Sequence, residues 1–410
     1  MIIIKAKYLI PDAEGCIENG AVAVDGTKIR HVGTFHEIKK RIYCDNVIDL
    51  GNAAILPGLI NIHTHLDLTN LHNRIKPTGN FTHWVFQIVG ARVRWKDDDY
   101  VSSLEKGIRL CIQSGITTVA DIANTKHSFS ILKKSPLRKV IYKEVIGLNP
   151  DHAKDVMKKA CLELSGILRD DLLTVGLSPH APYSVSKELY QSVAQFAYEN
   201  TMPVCTHVAE TQDEAEFLVK GTGSFPPMLR QLRALSDTWH PPGLTPVQYM
   251  NETGILATKP ILIHCNYITD EEISLIQSSG ARVAFCPKSH HFFRHIHHPV
   301  RKLLNAGVTV GLGTDSLASN DTLSILDEMK FLFQHYAILP KTLLSMATVQ
   351  GAKALGLESR VGQIREGFEA DLCSIRLPEN HTGDIYCQLF DRDSKNIFTM
   401  VAGRICYTIS

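Results

Sequence analysis

The chain has 410 residues, of which 44% are hydrophobic and 21% are charged, and its formal net charge is +1 at pH 7. These values exclude a disordered chain and a strongly charged surface for nucleic acid or an acidic partner, so we expect a small-molecule ligand. The length suits a barrel of about 250 residues or more with an appended module.

The ten cysteines occur singly, with no Cys-x-x-Cys pair. This pattern is typical of reduced core thiols rather than of a disulfide framework, so we expect a cytoplasmic protein. The N-terminal residues 1–10 are too short and too strand-like for a signal peptide, and no run approaches the ~20 apolar residues that span a bilayer. We therefore expect a soluble protein without a membrane partner.

Residues 1–54 alternate short β-like runs with turn signals such as Asp25-Gly26, which predicts a small β module. From Ile55 the pattern changes to repeated units of strand, loop and helix. One strand covers residues 55–62, and a helix capped by Asp99 precedes a second strand at residues 116–120. Further buried strands are predicted at residues 140–146, 173–177, 204–207, 261–264, 283–285 and 308–312.

These eight strand units over residues 55–355 predict an α/β fold, a TIM-like (β/α)8 barrel closed by a helix at residues 343–355. Residues 356–410 return to short β-like runs, and we expect them to join residues 1–54 in one small discontinuous β-sandwich module. The Pro- and Gly-rich segment 221–243 follows the fifth strand, and we expect it to be irregular and to lie over the barrel mouth as a lid.

Ligand-type side chains end several of the predicted strands. His63 and His65 point the same way because side chains alternate along a strand, while His207 ends the fifth strand and Asp315 follows the eighth. Imidazole and carboxylate are ligands of Zn²⁺ and Fe²⁺. Singly, His207 fits a buried structural histidine and Asp315 fits a helix cap. Jointly, at the catalytic ends of barrel strands, the four predict a divalent metal site.

Two further residues have the chemistry to act beside such a metal. Glu210 lies three residues after His207, where a carboxylate can take a proton from a metal-activated water and pass it to a substrate. The alternative is a surface glutamate among Glu214 and Glu216. His264 ends the sixth strand, where it can stabilise a tetrahedral intermediate, and Asp315 can take part in proton transfer toward the leaving group.

Eight motifs distributed over almost the whole chain resemble the amidohydrolase superfamily, in its cytosine-deaminase-like and chlorohydrolase-like branch. They are PGLINIHTHLD, ITTVADIAN, GLSPHAPYSVS, CTHVAET, LIHCNYI, FCPKSH, GLGTDSLASN and VGQIREGFEADL. The resemblance implies a TIM-like barrel with a flanking β-sandwich, and a metal held by His63, His65, His207 and Asp315. It also implies that His180 contacts the substrate. No lysine stands at the end of the fourth strand, where binuclear members carry one, so we expect one ion, Zn²⁺ or alternatively Fe²⁺.

The segments around HTHLDL, Trp84 and FCPKSHHFF look most like those of aminodeoxyfutalosine deaminases, which serve the futalosine route to menaquinone. That resemblance implies hydrolytic deamination of an adenine-bearing nucleoside. Relatives that act on adenosine-type thioethers often carry a glutamate for the ribose where this chain has Val93, flanked by Arg92 and Arg94. Either arginine could pair with a substrate carboxylate, or both could be ordinary surface charges.

Other possibilities remain open at this point. They are a deaminase of adenosine, methylthioadenosine or S-adenosylhomocysteine, a guanine-deaminase-like or triazine-chlorohydrolase-like enzyme, and a silent binding protein that should have lost its ligands. The histidine-rich run 290–298 is interpreted as a polar loop over the pocket rather than as a second metal site. We also expect a homo-oligomer.

Overall fold

The structure is a computed structural model that describes residues 1–167, 170–379 and 383–409. Its central part contains eight strands in chain order, all buried and all paired in parallel with their neighbours. They are numbered after seven strands of the N-terminal region: β8 (Leu59–Thr64), β9 (Ile116–Ala123), β10 (Arg138–Val145), β11 (Leu173–Pro179), β12 (Cys205–Val208), β13 (Ile261–His264), β14 (Arg282–Phe285) and β15 (Val310–Leu312).

The central strands form two four-stranded sheets rather than one continuous ring. The strand orders are β11-β10-β9-β8 and β12-β13-β14-β15. Single parallel bridges join the sheets at both edges, between Leu177 and Val204 and between Thr64 and Asp315. Because all the strands are parallel, their carboxyl ends meet on one side of the molecule, where the site side chains predicted from the sequence lie.

Most of the helices connect the central strands and lie around them, whereas the first and the last belong to the terminal regions of the chain. They are α1 (Phe35–Arg41), α2 (Phe81–Arg92), α3 (Asp97–Gln113), α4 (Ser128–Lys134), α5 (Ala153–Ser165), α6 (Lys187–Glu199), α7 (Gln212–Lys220), α8 (Phe225–Gln231), α9 (Pro246–Glu252), α10 (Asp270–Ser279), α11 (Pro287–Phe292), α12 (Val300–Asn305), α13 (Ile325–His335), α14 (Pro340–Ala347), α15 (Val349–Leu355) and α16 (Ile385–Gln388). Short 3-10 turns occur at Leu66–Leu71, Pro150–His152 and Ile255–Thr258. No helix in the described ranges is long and apolar enough to cross a membrane.

Strands from both ends of the chain build two flanking sheets. The remaining strands are β1 (Ile2–Lys5), β2 (Tyr8–Leu9), β3 (Ile17–Glu18), β4 (Gly20–Asp25), β5 (Lys28–Thr34), β6 (Val47–Asp49), β7 (Ala53–Pro57), β16 (Leu372–Arg376), β17 (Lys395–Val401) and β18 (Arg404–Thr408). One sheet has the order β5-β4-β1-β6, and the other has the order β18-β17-β16-β7-β2-β3. A shared apolar cluster, including Ile4 and Val22 from the first sheet and Ile55 and Phe398 from the second, fills the space between them.

The single strand predicted at residues 55–62 is wrong, because the chain divides there into β7 and β8. β7 pairs with β16 in a flanking sheet, and β8 begins the central set. Gly58 separates them, and a Cβ at this position would lie 2.1 Å from Thr117 Oγ1. Only glycine permits this close approach, so the chain passes from one sheet to the other at a single residue.

Two helical predictions also need correction. The helix predicted at residues 343–355 is two helices, α14 and α15, which are separated at Thr348 with φ −132° and ψ −87°. The segment 221–243, expected to be irregular, contains α8, which buries Phe225, Met228 and Leu229. Its apolar face packs inward, and Met228 and Leu229 line the cavity described below. The segment is therefore in part a packed wall of that cavity.

Candidate active site

Three histidine side chains converge at the carboxyl ends of the central strands. His63 lies in β8, His65 follows it directly and His207 lies in β12. One ligand atom from each falls within 4.8 Å of the others. The Nε2 atoms of His65 and His207 are 3.3 Å apart. Two imidazole nitrogens so close require a shared proton or a cation between them.

Asp315 adds a carboxylate to this group. Its Oδ1 atom lies 3.5 Å from His63 Nε2 and 3.7 Å from His65 Nε2. The other oxygen, Oδ2, accepts hydrogen bonds from the hydroxyl groups of Ser289 and Ser319, at 2.9 Å and 2.5 Å. Burial opposes ionisation of Asp315, but the neighbouring imidazoles, His63 first, outweigh it and hold its pKa below the ordinary range. One oxygen is thus fixed by hydroxyls and the other faces the histidines.

The imidazole nitrogens and the carboxylate oxygen of this group are suitable ligands for a divalent metal ion. His63 is buried, and neither of its ring nitrogens has a hydrogen-bond partner among the described residues. His207 Nδ1 donates a hydrogen bond to the carbonyl of His180 at 2.9 Å, which leaves Nε2 with its lone pair free. Burial, with the neighbouring imidazoles, lowers the pKa of His65 and His207 well below the usual value. Neutral imidazole is the form that binds metals.

Glu210 and His264 lie together beside the histidines. His264 Nε2 is 3.4 Å from Glu210 Oε1, and both side chains are buried. Burial, followed by the charges of Asp315 and Glu214, raises the pKa of Glu210 well above its ordinary value. Burial also lowers the pKa of His264 to about 3. A carboxyl group with a raised pKa can both receive and release a proton near neutral pH.

The turn that carries Glu210 is held by Glu214, a residue whose role the sequence did not reveal. The two oxygens of Glu214 accept hydrogen bonds from the backbone N–H groups of Ala209 and Glu210, each at 2.9 Å. Ala209 has φ +52°, a strained value for a residue with a side chain. Glu214 is fully buried, so the alternative of a surface cluster of Glu210 with Glu214 and Glu216 does not hold for it. The spacing Thr211-x-x-Glu214, typical of a capping box, was the available signal.

The strand end at His264 is supported in a similar way. His264 has φ +74°, and its carbonyl accepts a hydrogen bond from His298 Nε2 at 2.8 Å. Asn266 donates from Nδ2 to the carbonyl of Glu210 at 2.9 Å and so connects the two strand ends. No sequence pattern had pointed to His298 in this role, since the contact spans 34 residues of chain.

A cavity of about 260 Å³ opens onto this group of residues. Its walls are largely apolar and include Phe81, Trp84, Val85, Ile88, Tyr183, Met228 and Leu229. The Trp84 indole N–H donates to the carbonyl of Ala318 at 3.0 Å. His180 also lines the cavity, its Nδ1 lies 2.6 Å from Ser184 Oγ, and burial lowers its pKa to about 4. Trp84 and His180 therefore lie where the sequence predicted substrate contacts.

The two arginines differ in placement. Arg92 lines the cavity, with Nη2 3.6 Å from Asp67 Oδ2 and 3.0 Å from Asn124 Oδ1. Asn124 also hydrogen-bonds Glu144. Arg94 is exposed and is absent from the cavity lining. The structure brings Arg92 to the site but does not bring Arg94.

Two acids flank Arg92 in the cavity wall. Burial raises the pKa of Asp67 to about 6 and that of Glu144 to about 7, although the charge of Arg92 opposes both shifts. No sequence pattern had pointed to either acid. Because they counter its charge, Arg92 is a guanidinium within a mixed-charge cluster rather than an isolated cation.

The chain is similar to a known family of hydrolases and to several deaminases. The model of the amidohydrolase family matches residues 54–406. A 5-methylthioadenosine/S-adenosylhomocysteine deaminase of Pyrococcus furiosus is 32% identical over 397 residues, covering 93% of this chain and 86% of that protein. An aminodeoxyfutalosine deaminase of Deinococcus radiodurans is 30% identical over 375 residues, covering 87% of each. The crystal structure of a Xanthomonas campestris adenosine deaminase with bound zinc has a TM-score of 0.87 at 24% identity, covering 99% of this chain and 93% of that one.

The chain belongs to the amidohydrolase family, as its motifs predicted. The prediction of an aminohydrolase agrees with the deaminase names of both sequence relatives.

Proposed function

We propose that the protein is a hydrolytic deaminase of an adenine-bearing nucleoside, with aminodeoxyfutalosine as substrate and futalosine and ammonia as products. The observation that carries the deaminase assignment is the pair Glu210 and His264, 3.4 Å apart and adjacent to three convergent histidines and Asp315. Both sequence relatives named above are deaminases, which supports the same reaction class.

We assign the metal site to His63, His65, His207 and Asp315, with one Zn²⁺ per chain and Fe²⁺ as the alternative. When bound, such an ion lowers the pKa of a coordinated water molecule to about 7. The three imidazoles and one carboxylate are ligands that zinc accepts.

Three protein side chains then act in the reaction, each with its own role. Glu210 takes a proton from the water and delivers it to the ring nitrogen beside the amino-bearing carbon. His264 donates a hydrogen bond to the oxygen that forms on that carbon. Asp315 takes part in proton transfer toward the departing amine. In balance, water replaces the amino group at C6, the ring carbon gains an oxo group and ammonia leaves.

The preference for aminodeoxyfutalosine rests on two features of the cavity. Arg92 offers a guanidinium to the carboxylate of the substrate's benzoate group. The exposed apolar side chains Val89, Ile146 and Leu232 also line the cavity and can cover an aromatic ring. His180 and Trp84 are assigned to contacts with the nucleoside.

A second candidate substrate is favoured by a different observation. The relative from Pyrococcus furiosus is named for methylthioadenosine and S-adenosylhomocysteine, and it matches 93% of this chain. The same apolar wall can take a methylthio group. The acids flanking Arg92 also reduce the advantage of a carboxylated substrate, because they counter its positive charge.

For the fold as a whole, we propose that β8–β15 form a TIM-like (β/α)8 barrel over residues 58–355. Residues 1–57, which include β7, and the described residues after 355 then form one discontinuous β-sandwich. The bridges at both edges of the central sheets and the apolar cluster between the flanking sheets support this description.

The test compares kcat/KM for four nucleosides, with release of ammonia as the measured signal. They are aminodeoxyfutalosine, methylthioadenosine, S-adenosylhomocysteine and adenosine. We expect the carboxylated nucleoside aminodeoxyfutalosine to have the highest value. Equal or higher values for the other nucleosides would contradict the substrate assignment and leave the deaminase reaction in place. No ammonia from any adenine nucleoside would contradict both.

A further inference from the structure

A second cavity of about 670 Å³ contains an unusual number of histidines. Six of the 19 histidines of the chain line it: His290, His291, His295, His297, His298 and His335. It has no lining residue in common with the catalytic cavity in the described part of the chain. The histidine-rich run that the sequence analysis interpreted as a loop over the substrate pocket thus lines a separate cavity.

In three of these histidines, one ring nitrogen lies at hydrogen-bonding distance from an oxygen atom. His290 and His298 are buried, and His295 is half-buried. The contacts are His290 Nδ1 with Tyr336 Oη at 3.3 Å, His295 Nδ1 with Tyr267 Oη at 3.0 Å and His298 Nε2 with the His264 carbonyl at 2.8 Å.

The opposite nitrogen of each ring has no hydrogen-bond partner among the described residues. These atoms are His290 Nε2, His295 Nε2 and His298 Nδ1. A buried polar atom without a partner is unfavourable, so each of these nitrogens is free to bind a ligand. Burial lowers the pKa of the three imidazoles to about 2, 4 and 3 in that order, which keeps the rings neutral. A neutral imidazole held by an oxygen through one nitrogen is the usual state of a metal-binding histidine.

The ring of His290 lies near both of the other rings. Its centre is 5.3 Å from that of His295 and 5.8 Å from that of His298. In the catalytic cluster of His63, His65 and His207, the three pairwise distances are 4.8, 5.0 and 5.4 Å. Among the described residues, only that catalytic cluster gathers its ligand atoms within 4.8 Å. The three histidines of the second set must therefore move closer together to surround an ion, and this set should bind the ion more weakly.

We propose that His290, His295 and His298 form a second binding site for a late divalent transition metal ion such as Zn²⁺. Imidazole favours these ions, and no carboxylate lines the cavity in the described residues to favour Mg²⁺ or Ca²⁺. Two cations also line the cavity, and both have partners. The Nζ atom of Lys302 lies 2.6 Å from Asp270, and the guanidinium of Arg301 donates to the carbonyls of Tyr336 and Ala337.

The experiment is equilibrium dialysis of the full-length protein, already carrying one zinc per chain, against increasing free Zn²⁺, with elemental analysis of the protein. The variants His290→Gln and His295→Gln each remove one proposed ligand. His291→Gln and His297→Gln are matched controls, because both residues are exposed neighbours in the same segment. Thermal unfolding verifies that each variant is folded. If His290→Gln fails to fold, His295→Gln decides.

We expect a second zinc per chain at about 10 µM free Zn²⁺, weakened at least tenfold in the ligand variants and within about twofold of normal in the controls. A protein that still holds a single zinc at about 100 µM free Zn²⁺ would overturn the proposal. Equal weakening in the ligand and control variants would also overturn it, because it would indicate non-specific binding by a histidine-rich surface.

Discussion

The carboxylate of Glu214 accepts the backbone N–H of Glu210 at 2.9 Å and so fixes the residue that we assign as the proton carrier. The second oxygen of Glu214 accepts the N–H of Ala209 at the same distance. Two acceptors are needed to satisfy both donors of this strained turn. A glutamate is therefore required at position 214 for the orientation of Glu210.

Glu214→Gln should reduce kcat by about 100-fold with little change in metal content. A glutamine side chain has one acceptor oxygen, so its amide group would face a backbone N–H, and a loss of about 2–3 kcal/mol follows. Steady-state kinetics and elemental analysis measure both effects. Glu216→Gln is the control, because Glu216 is exposed on the same helix. Equal kcat in the two variants would show that the turn does not depend on Glu214.

Glu210→Gln should lower kcat by at least about 1,000-fold, because an amide cannot carry a proton from water to the substrate. Metal content and the thermal unfolding temperature should stay close to normal. A variant with more than a tenth of the normal rate, a loss of only about 1.4 kcal/mol, would contradict the role of Glu210.

The sequence predicted the proposed metal ligands, and their convergence follows from simple periodicity. His63 and His65 share one face of a strand, and Asp315 and His207 end other strands of the same parallel set. It could not predict Glu214 or His298, because their roles depend on backbone groups with unusual φ values at Ala209 and His264. Local patterns do not specify such contacts.

The same limit explains why one strand boundary was wrong and why the sequence left open which arginine lies at the site. Gly58 divides one apolar run into two strands only because Thr117 packs against it, a contact between distant residues. Arg92 and Arg94 look equivalent in sequence, yet they are separated by the end of α2, after which Val93 and Arg94 turn to solvent. A helix boundary uncertain by two residues decides which arginine reaches the cavity.

Arg92→Met should remove most of the preference for a carboxylated nucleoside while sparing turnover of adenosine. Methionine keeps the apolar stem and removes the charge that pairs with a carboxylate. We expect the ratio of kcat/KM for aminodeoxyfutalosine to that for adenosine to fall by about 10- to 100-fold. Arg94→Met, at an exposed position, is the control and should leave the ratio unchanged. An unchanged ratio in Arg92→Met would refute the contact.

The ratio of kcat/KM for aminodeoxyfutalosine to that for adenosine should fall as pH rises from about 6 to 8. Burial raises the pKa of Glu144 to about 7, so this group is neutral below that pH and anionic above it. The anion repels a substrate carboxylate placed at Arg92, whereas adenosine carries no such group. Dividing the two kcat/KM values cancels the titration of catalytic groups common to both substrates. In the Glu144→Gln variant the ratio should no longer depend on pH. A ratio that is independent of pH in the unmodified enzyme would contradict the proposed effect of Glu144.

The most direct test that the protein is a metal-dependent deaminase is a zinc titration of protein stripped of metal. Ammonia release from an adenine nucleoside is the readout. Activity should be absent without metal, rise in proportion to added zinc and reach its maximum at about one zinc per chain. Zinc in excess should add no activity, because the proposed second site lies outside the catalytic cavity. Full ammonia release by the metal-free protein would contradict the assignment of His63, His65, His207 and Asp315 as the catalytic metal site.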